Sequence, residues 1–209
     1  MPDPHSLVLF AGAGLLLNVT PGPDLLYILG RSMSQGRSAG VLSALGVGAG
    51  CLVHVLGAAL GLSALLLAVP HAYDLVRWMG AAYLVVLGVK ALRSRQGRLE
   101  VKGLAPVSPR RIFMQGALTN VLNPKVALFF LAFLPQFADP TRGPLAPQLL
   151  LLGAIFAVNG TWVCVGFALF ASSVGSWLRG RYGVARLLER ATGGLFVALG
   201  LRLALLERR

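Results

Sequence analysis

The chain has 209 residues, of which 56% are hydrophobic and 12% are charged, and its formal net charge is +12. A soluble domain of this size covers its core with charged residues, yet none lies between Arg37 and Asp74 or between Arg142 and Arg179. Each gap exceeds the roughly 20 apolar residues that a helix needs to cross a bilayer. The basic residues stand in short stretches between apolar runs, which argues against a nucleic-acid-binding protein.

Apolar runs bounded by charges, prolines or glycines predict an all-α integral membrane protein with about six transmembrane helices. The sixth run is short and contains Arg202, and Arg208 and Arg209 favour a cytoplasmic C-terminus, so a five-span arrangement with a cytoplasmic tail stays open. No separate soluble domain is evident, and residues 1–209 form a single membrane domain. The runs are Leu7–Leu29, Gly40–Ala68, Tyr73–Leu92, Ile112–Phe137, Leu145–Ala171 and Ala191–Leu206.

The connections between these runs differ in their basic residues. The first, third and fifth connections hold nearly all of the loop Arg and Lys residues. For the second and fourth, only Arg77, near the start of the third run, and Arg142 can be counted. Because basic loops stay in the cytoplasm, the odd connections are predicted to be cytoplasmic and the N-terminus to lie outside. The third connection, residues 93–111, is then a basic cytoplasmic loop that joins two halves, residues 1–92 and 112–209.

Two of the runs share a sequence pattern. The first contains Asn-Val-Thr-Pro-Gly-Pro-Asp at 18–24, and the fourth contains Asn-Val-Leu-Asn-Pro-Lys at 120–125. Since three spans separate the copies, the two halves have opposite orientations in the membrane. An inverted 3+3 repeat with broken helices 1 and 4 is typical of secondary transporters, whose substrate site lies near the midplane between the repeats.

Prolines interrupt the helices at both copies of the pattern. A proline lacks the backbone N–H and clashes with the carbonyl four residues earlier, so that carbonyl loses its helical partner. A free carbonyl in lipid costs several kcal/mol and must face protein or a wet cavity. The prolines are Pro21, Pro23 and Pro124, and the carbonyls that they free belong to Leu17, Val19 and Asn120.

The polar residues at these breaks are candidates for substrate binding or proton coupling. Charges inside a membrane are costly and usually face a pathway, which makes Asp24 and Lys125 the first candidates. Counting along the helices separates the two charges by about 10 Å in depth. We therefore expect a zwitterion between them, with its carboxylate at Lys125 and its ammonium attracted by Asp24 and the freed carbonyls. The other candidates at the breaks are Asn18, Thr20, Pro21, Gly22, Pro23, Asn120, Asn123 and Pro124.

Small residues recur at helical spacing along the second and fifth runs, which predicts close helix packing. His54 shares the second-run stripe and should face protein, either as a hydrogen-bonded interior histidine or as a proton relay. Asn159 stands beside the fifth-run stripe and is a further candidate. Cys51 and Cys164 are interpreted as buried small side chains. The stripes are Gly46, Gly50, Gly57 and Gly61 in the second run, and Gly153, Ala157, Gly160 and Cys164 in the fifth.

Other chemistries find little support in the sequence. No Ser-His-Asp set stands at membrane depth, and His5, His54 and His71 do not have ligand spacings, so neither an enzyme nor a bound metal or cofactor is predicted. A divalent-cation exporter should bring several carboxylates or soft ligands into the membrane, where Asp24 is the one clear acid. A redox protein would need histidines paired across helices.

The Pro-Gly-Pro motif at 21–23, the glycine-rich second run and Asn-Pro-Lys at 123–125 followed by Leu-Phe-Phe-Leu-Ala-Phe-Leu-Pro-Gln-Phe at 128–137 resemble the LysE/RhtB family of amino-acid exporters. The resemblance extends over the whole chain. It implies export of amino acids such as lysine, threonine, homoserine or leucine from the bacterial cytoplasm, across the inner membrane, coupled to the proton motive force.

Alternatives to an exporter remain at this stage. A non-catalytic membrane assembly subunit would show the same apolar runs, and a metal or ion exporter is a less favoured reading. Besides a small-molecule substrate, the expected partners are membrane lipids and no nucleic acid. The sequence leaves open whether copies of the chain associate as a homo-oligomer.

Overall fold

The computed structural model describes residues 2–69, 72–93, 104–171 and 182–205, and the regular structure in these ranges is helical, with no strand. This confirms the predicted all-α class. A π-helical turn (Gly57–Leu62) and two 3-10 turns (Leu134–Phe137 and Pro140–Arg142) accompany the α-helices. The helices are α1 (Pro4–Val19), α2 (Pro23–Gln35), α3 (Arg37–Leu56), α4 (Ser63–Ala68), α5 (Ala72–Arg93), α6 (Pro109–Val121), α7 (Pro124–Ala132), α8 (Leu145–Leu169) and α9 (Tyr182–Leu205).

By length and composition, the described residues contain two to four candidate membrane spans. Arg37–Leu66 and Leu145–Leu169 are each long and apolar enough to cross a bilayer. Two bent pairs would each make one further, broken span: α1 with α2, at an angle of 51°, and the helices either side of Asn123, at 49°. These four candidates correspond to the first, second, fourth and fifth predicted runs.

The third and sixth runs correspond to α5 and α9. Helix α9 begins at Tyr182, well before the predicted start of the sixth run at Ala191. Charged residues between these positions, such as Arg186 and Glu189, end an apolar run, but Arg and Glu are good helix formers and do not end a helix. At 24 residues, α9 is about 36 Å long and extends beyond the short apolar run from which it was predicted.

The two helix breaks lie at the prolines. Helix α1 ends at Val19, the next residues are extended, and Pro23 occupies the first turn of α2. Helix α6 ends at Val121, and Pro124 occupies the first turn of α7. Proline suits the first turn of a helix because no intrahelical partner is needed there for its missing N–H. Each proline therefore stops one helix and starts the next.

The long helices pack around the breaks. Helix α3 contacts α2, α6 and α8, while α1 contacts α8. An aromatic cluster joins α1, α7 and α8 at one end, where the rings of Phe10, Phe129, Phe133 and Phe156 are nearly inaccessible and their neighbouring centroids lie 4.8–6.1 Å apart. Rings at these separations attract each other beyond their burial. The cluster holds α1 against α7 and α8.

The glycine stripe of α3 packs closely in its first half. A Cβ added at Gly46 would overlap the backbone carbonyl oxygen of Phe113 in α6, and one at Gly50 would overlap that of Ala117. Such contacts let two helix backbones approach closely, as predicted. Helices α3 and α6, one from each half of the chain, are thereby held backbone to backbone beside the second break.

The second half of that stripe does not pack, and the prediction is wrong there. Gly57 and Gly61 are exposed, and no described atom lies within 4 Å of a Cβ built on either. The opposing helix α6 ends at Val121, and the chain bends there. The π-helical turn also changes the register of the helix, which moves the buried face to residues such as Ala59 and Leu62.

Helices α5 and α9 form a second glycine-mediated pair. A Cβ on Gly88 would lie 2.6 Å from the carbonyl oxygen of Gly193, and one on Gly200 would lie 2.8 Å from that of Ala81. This pair contacts the rest of the described structure mainly through α7 and α1.

The first and third connections meet at one end of the bundle. Gln35, at the end of α2, accepts a hydrogen bond from Val107 N at 3.1 Å and donates one to Val107 O at 2.9 Å. The predicted loop 93–111 lies partly outside the described residues, but its last part is thus joined to the end of α2. At the N-terminus, the Asp3 carboxylate caps α1 through Ser6, which lowers the pKa of Asp3.

Candidate functional site

The side chain of Lys125 crosses from the second break to the first. Its Nζ donates to the carbonyl oxygens of Leu17 at 3.1 Å and Thr20 at 3.0 Å, at the C-terminal end of α1. The negative end of the helix dipole favours a cation there. The carbonyl of Leu17 is one of those that the prolines were predicted to free, and it is occupied by this lysine. The same oxygen also accepts from the backbone N–H of Thr20 at 3.2 Å.

Asp24 receives side chains in the opposite direction. It lies in the first turn of α2, where a negative charge is favoured by the helix dipole. Its Oδ2 accepts from Asn120 Nδ2 at 2.8 Å and from Asn123 Nδ2 at 2.9 Å, both from the second break. Asp24 and Lys125 both lie in the described part of the chain and form no ion pair with each other.

His54 contacts the carbonyl of Asn120, another of the three that the prolines were predicted to free. Its Nε2 lies 3.1 Å from the carbonyl oxygen of Asn120, and its ring centroid lies 5.8 Å from that of Phe130. This agrees with the interior hydrogen-bonded reading of the histidine. Because Asn120 in turn donates to Asp24, His54 holds a residue that contacts the acid but does not itself reach the cavity described next.

A cavity lies beside the two breaks. It contains about 460 Å³ of space between atoms, part of which is open to the surface of the protein. The breaks supply one side of it, and α3 and α8 supply the other. The lining residues are Asn18, Thr20, Asp24, Leu25, Val47, Gly48, Cys51, Asn120, Lys125, Val126, Phe156, Ala157, Gly160, Thr161 and Cys164.

Three side-chain atoms of this lining are buried and have no hydrogen-bond partner among the described residues. They are Asn18 Nδ2, Asp24 Oδ1 and Asn120 Oδ1. An unmatched buried polar atom costs about 1–3 kcal/mol, so three in one cavity indicate a place where other molecules bind. Chemically, the cavity offers two acceptors on one acidic side and one amide donor, next to the ammonium of Lys125.

Most of the predicted site residues come together here. Asn18, Thr20, Asp24, Asn120 and Lys125 line the cavity. Asn123 contacts Asp24, and a Cβ on Gly22 would lie 3.0 Å from Lys125 Nζ. Pro21, Pro23 and Pro124 form the breaks themselves. Asn159 is not among the residues that line the cavity.

The sequence did not single out the lining that α3 and α8 provide. Cys51, Ala157, Gly160 and Cys164 were expected to be packing residues, and Val47, Gly48, Phe156 and Thr161 were not considered. The two stripes of small residues carry the available signal, because small side chains at helical spacing either allow close packing or leave space beside a helix.

A second group of residues missed by the sequence surrounds Arg31. Its side chain is buried and donates to Gln35 Oε1, Ala105 O and Gln115 Oε1, each at 2.8 Å. Tyr27 OH also donates to Ile112 O at 2.8 Å. These contacts join α2 to α6 and to the end of the third connection, about 9 Å along α2 beyond the cavity residue Leu25.

Comparison with known proteins identifies relatives over nearly the whole chain. The family model described as LysE type translocator matches residues 15–207. A homoserine/homoserine lactone efflux protein of Salmonella typhimurium is 32% identical, with 90% of this chain and 91% of the relative covered. A leucine efflux protein of the same organism is 28% identical, with 92% of each covered. An uncharacterized membrane protein of Vibrio cholerae is 29% identical over 97% of this chain and 98% of the relative. No solved structure matches the chain.

Proposed function

Because the chain belongs to the LysE type translocator family, we propose that it is a secondary transporter that exports amino acids or close derivatives across the bacterial cytoplasmic membrane. The observation that carries this proposal is the cavity at the two helix breaks. One acid and one base, Asp24 and Lys125, line it without forming an ion pair. An amino acid is a zwitterion, and separated opposite charges are what its two ends require.

The unpartnered atoms of the lining suggest how a substrate binds. Asp24 Oδ1 and Asn120 Oδ1 are acceptors and suit the α-ammonium. Lys125 has three N–H protons, of which two are directed to backbone carbonyls, so one can meet the α-carboxylate together with Asn18 Nδ2. In this arrangement the ammonium does not need the carbonyls of Leu17 and Asn120, which Lys125 and His54 already contact.

The proposal includes an inverted 3+3 architecture of six spans in one membrane domain. The halves would be α1–α5 and α6–α9, with α5 and α9 as their third spans. Helix contacts support this pairing, because α3 packs on α6 as α1 packs on α8, and α3–α8 and α5–α9 join equivalent elements. The bias of basic residues supports an outside N-terminus and a cytoplasmic loop at 93–111.

Coupling to the proton motive force is also part of the proposal. Asp24 is the group we assign to the proton: it would carry one when the substrate ammonium is absent, and release it when the ammonium binds. The Arg31 contacts join the two halves on the predicted cytoplasmic side of the cavity, so access from the cytoplasm would require them to separate. Such rocking of one half against the other is how inverted-repeat transporters alternate access.

The test is counterflow in proteoliposomes. Purified protein is reconstituted into vesicles loaded with an unlabelled amino acid, and uptake of the same labelled amino acid is followed with no ion gradient. We expect uptake for some members of an amino-acid panel, and acceleration of net transport when a pH gradient is imposed. A membrane assembly subunit would give the uptake of protein-free vesicles for every amino acid, which would refute the proposed function.

A further inference from the structure

The cavity has two chemically different walls. The wall formed by the helix breaks holds its charged and amide groups. The opposite wall, formed by α3 and α8, is uncharged and made of small or apolar side chains. The hydroxyl of Thr161 in this wall donates to its own helix, at Ala157 O and 2.8 Å. The side chains of this wall include those of Val47, Cys51, Phe156, Ala157, Thr161 and Cys164.

The charges of the lining are balanced by the two ends of an amino acid. Of the charged side chains in the described part of the chain, Asp24 and Lys125 alone line the cavity. A bound amino acid uses both of them through its α-ammonium and α-carboxylate. A third charge, on the substrate side chain, would lie against the α3–α8 wall, where the lining has no counter-charge. Burying an unpaired charge is strongly unfavourable.

From these observations we infer that the α3–α8 wall selects amino acids with uncharged side chains, and that Cys51 and Thr161 are specificity-determining positions. This inference rests on the proposed function. It assigns the substrate class to a wall outside the two breaks: the breaks recognise what all amino acids share, and α3 and α8 recognise what distinguishes them.

The first test is the substrate panel of the counterflow assay. Leucine and homoserine represent uncharged side chains, lysine and arginine cationic ones, and glutamate an anionic one. We expect exchange of at least one uncharged amino acid and at least tenfold slower exchange of all three charged ones. Exchange of lysine or glutamate at the rate of leucine would overturn the wall inference and leave the proposed function intact. No exchange of any amino acid would refute both.

The second test moves a charge into the wall. In Thr161→Asp, a carboxylate can pair with a cationic side chain, so lysine exchange should rise at least tenfold relative to Thr161→Asn, which has the same shape without the charge. Leucine exchange by Thr161→Asn shows that the variant folds. Cys51→Asp and Cys51→Asn repeat the comparison from α3. If neither aspartate variant exchanges lysine faster than its asparagine control, the wall does not set the substrate class.

The two cysteines of the chain offer a binding measurement in the unmodified protein. Cys51 and Cys164 are the chain's only cysteines and both line this wall. A ligand that covers the wall at ten times its dissociation constant should slow maleimide labelling about tenfold by mass action. Leucine or homoserine should protect, and lysine should not. Equal protection by lysine would contradict the inference, whatever the transport rates.

Discussion

The two helix breaks share a sequence pattern but are completed in different ways. In the second break, the side chain of Asn123 caps α7 by accepting from Lys125 N at 3.0 Å. In the first break, Gly22 stands at the corresponding position of α2 and makes no side-chain cap. The first break supplies the acid, Asp24, and the second supplies the base, Lys125. The same pattern thus gives two ends of opposite charge.

Each break also supplies hydrogen-bond partners for polar groups of the other break. Lys125 occupies the carbonyls at the end of α1, and the amides of Asn120 and Asn123 occupy one oxygen of Asp24. His54, from the first half of the chain, binds the carbonyl of Asn120 in the second half. Proline breaks in a membrane protein need such partners. Neither half therefore has a complete polar site until the two halves are packed together.

The largest expected effect comes from removing the base. Lys125→Met keeps the length of the side chain but removes the ammonium that contacts the carbonyls of Leu17 and Thr20 and that would bind the substrate carboxylate. Loss of one partner of a buried charged contact costs about 2–5 kcal/mol, so counterflow should fall by roughly 30-fold to more than 1,000-fold. Lys90→Met, on the exposed side of α5, is the matched control and should transport normally. Normal exchange by Lys125→Met, at equal amounts in the membrane, would remove this residue from the site.

Replacing Asp24 should slow counterflow less than replacing Lys125. Asp24→Asn retains one oxygen that can accept from an asparagine but loses the charge that suits the ammonium, and we expect exchange to fall about tenfold or more, since a hydrogen bond to a charged group contributes about 1.5–3 kcal/mol. Stimulation of net transport by a pH gradient should be lost as well. If gradient stimulation persists unchanged, the coupling proton is carried elsewhere.

Reversing both charges tests the geometry. Asp24 and Lys125 each contact groups of the opposite break rather than each other. The double variant Asp24→Lys/Lys125→Asp should therefore be no more active than the less active of its two single variants. A direct pair would tolerate the exchange. Clear recovery of counterflow by the double variant would show that the two charges act as an ion pair during transport.

A smaller effect is expected at the glycine of the first break. The backbone of Gly22 is extended, with φ −168°, and any residue can adopt it. Its Cβ would, however, lie 3.0 Å from Lys125 Nζ, so Gly22→Ala should displace the ammonium from its carbonyls and slow counterflow several-fold. Gly12→Ala in α1, where no described atom lies within 4 Å, is the control. Equal rates for both variants would mean that the position of the ammonium is not critical.

The sequence predicted the breaks and most of their polar residues because prolines and charges act locally. Pro23 and Pro124 dictate where helices start, and an isolated Asp24 or Lys125 in an apolar run is conspicuous. Which polar groups form hydrogen bonds with each other depends on packing between segments about 100 residues apart in the chain. The hydrogen bonds of Lys125 to Leu17 and Thr20 could therefore not be predicted from the sequence. The α3–α8 wall was missed for a related reason: Ala157 or Cys164 has the same composition signal whether it faces a helix or a space.

The prediction of close packing from helical periodicity failed in the second half of the glycine stripe that begins in α3. Periodicity treats Gly50 and Gly57 alike, but a Cβ at Gly50 overlaps the backbone oxygen of Ala117, while one at Gly57 meets nothing within 4 Å among the described atoms. A backbone group cannot move aside as a side chain can, so Gly50→Ala should lower the stability by about 1–3 kcal/mol through overpacking. Gly57→Ala should leave the stability within about 0.5 kcal/mol of wild type, as substitutions at exposed positions usually do. Thermal unfolding of the two variants in detergent measures the difference. If both substitutions lower the melting temperature equally, the glycine stripe is packed along its whole length, as the sequence alone suggested. The bend of the chain after Val121 would then not release the end of the stripe that contains Gly57.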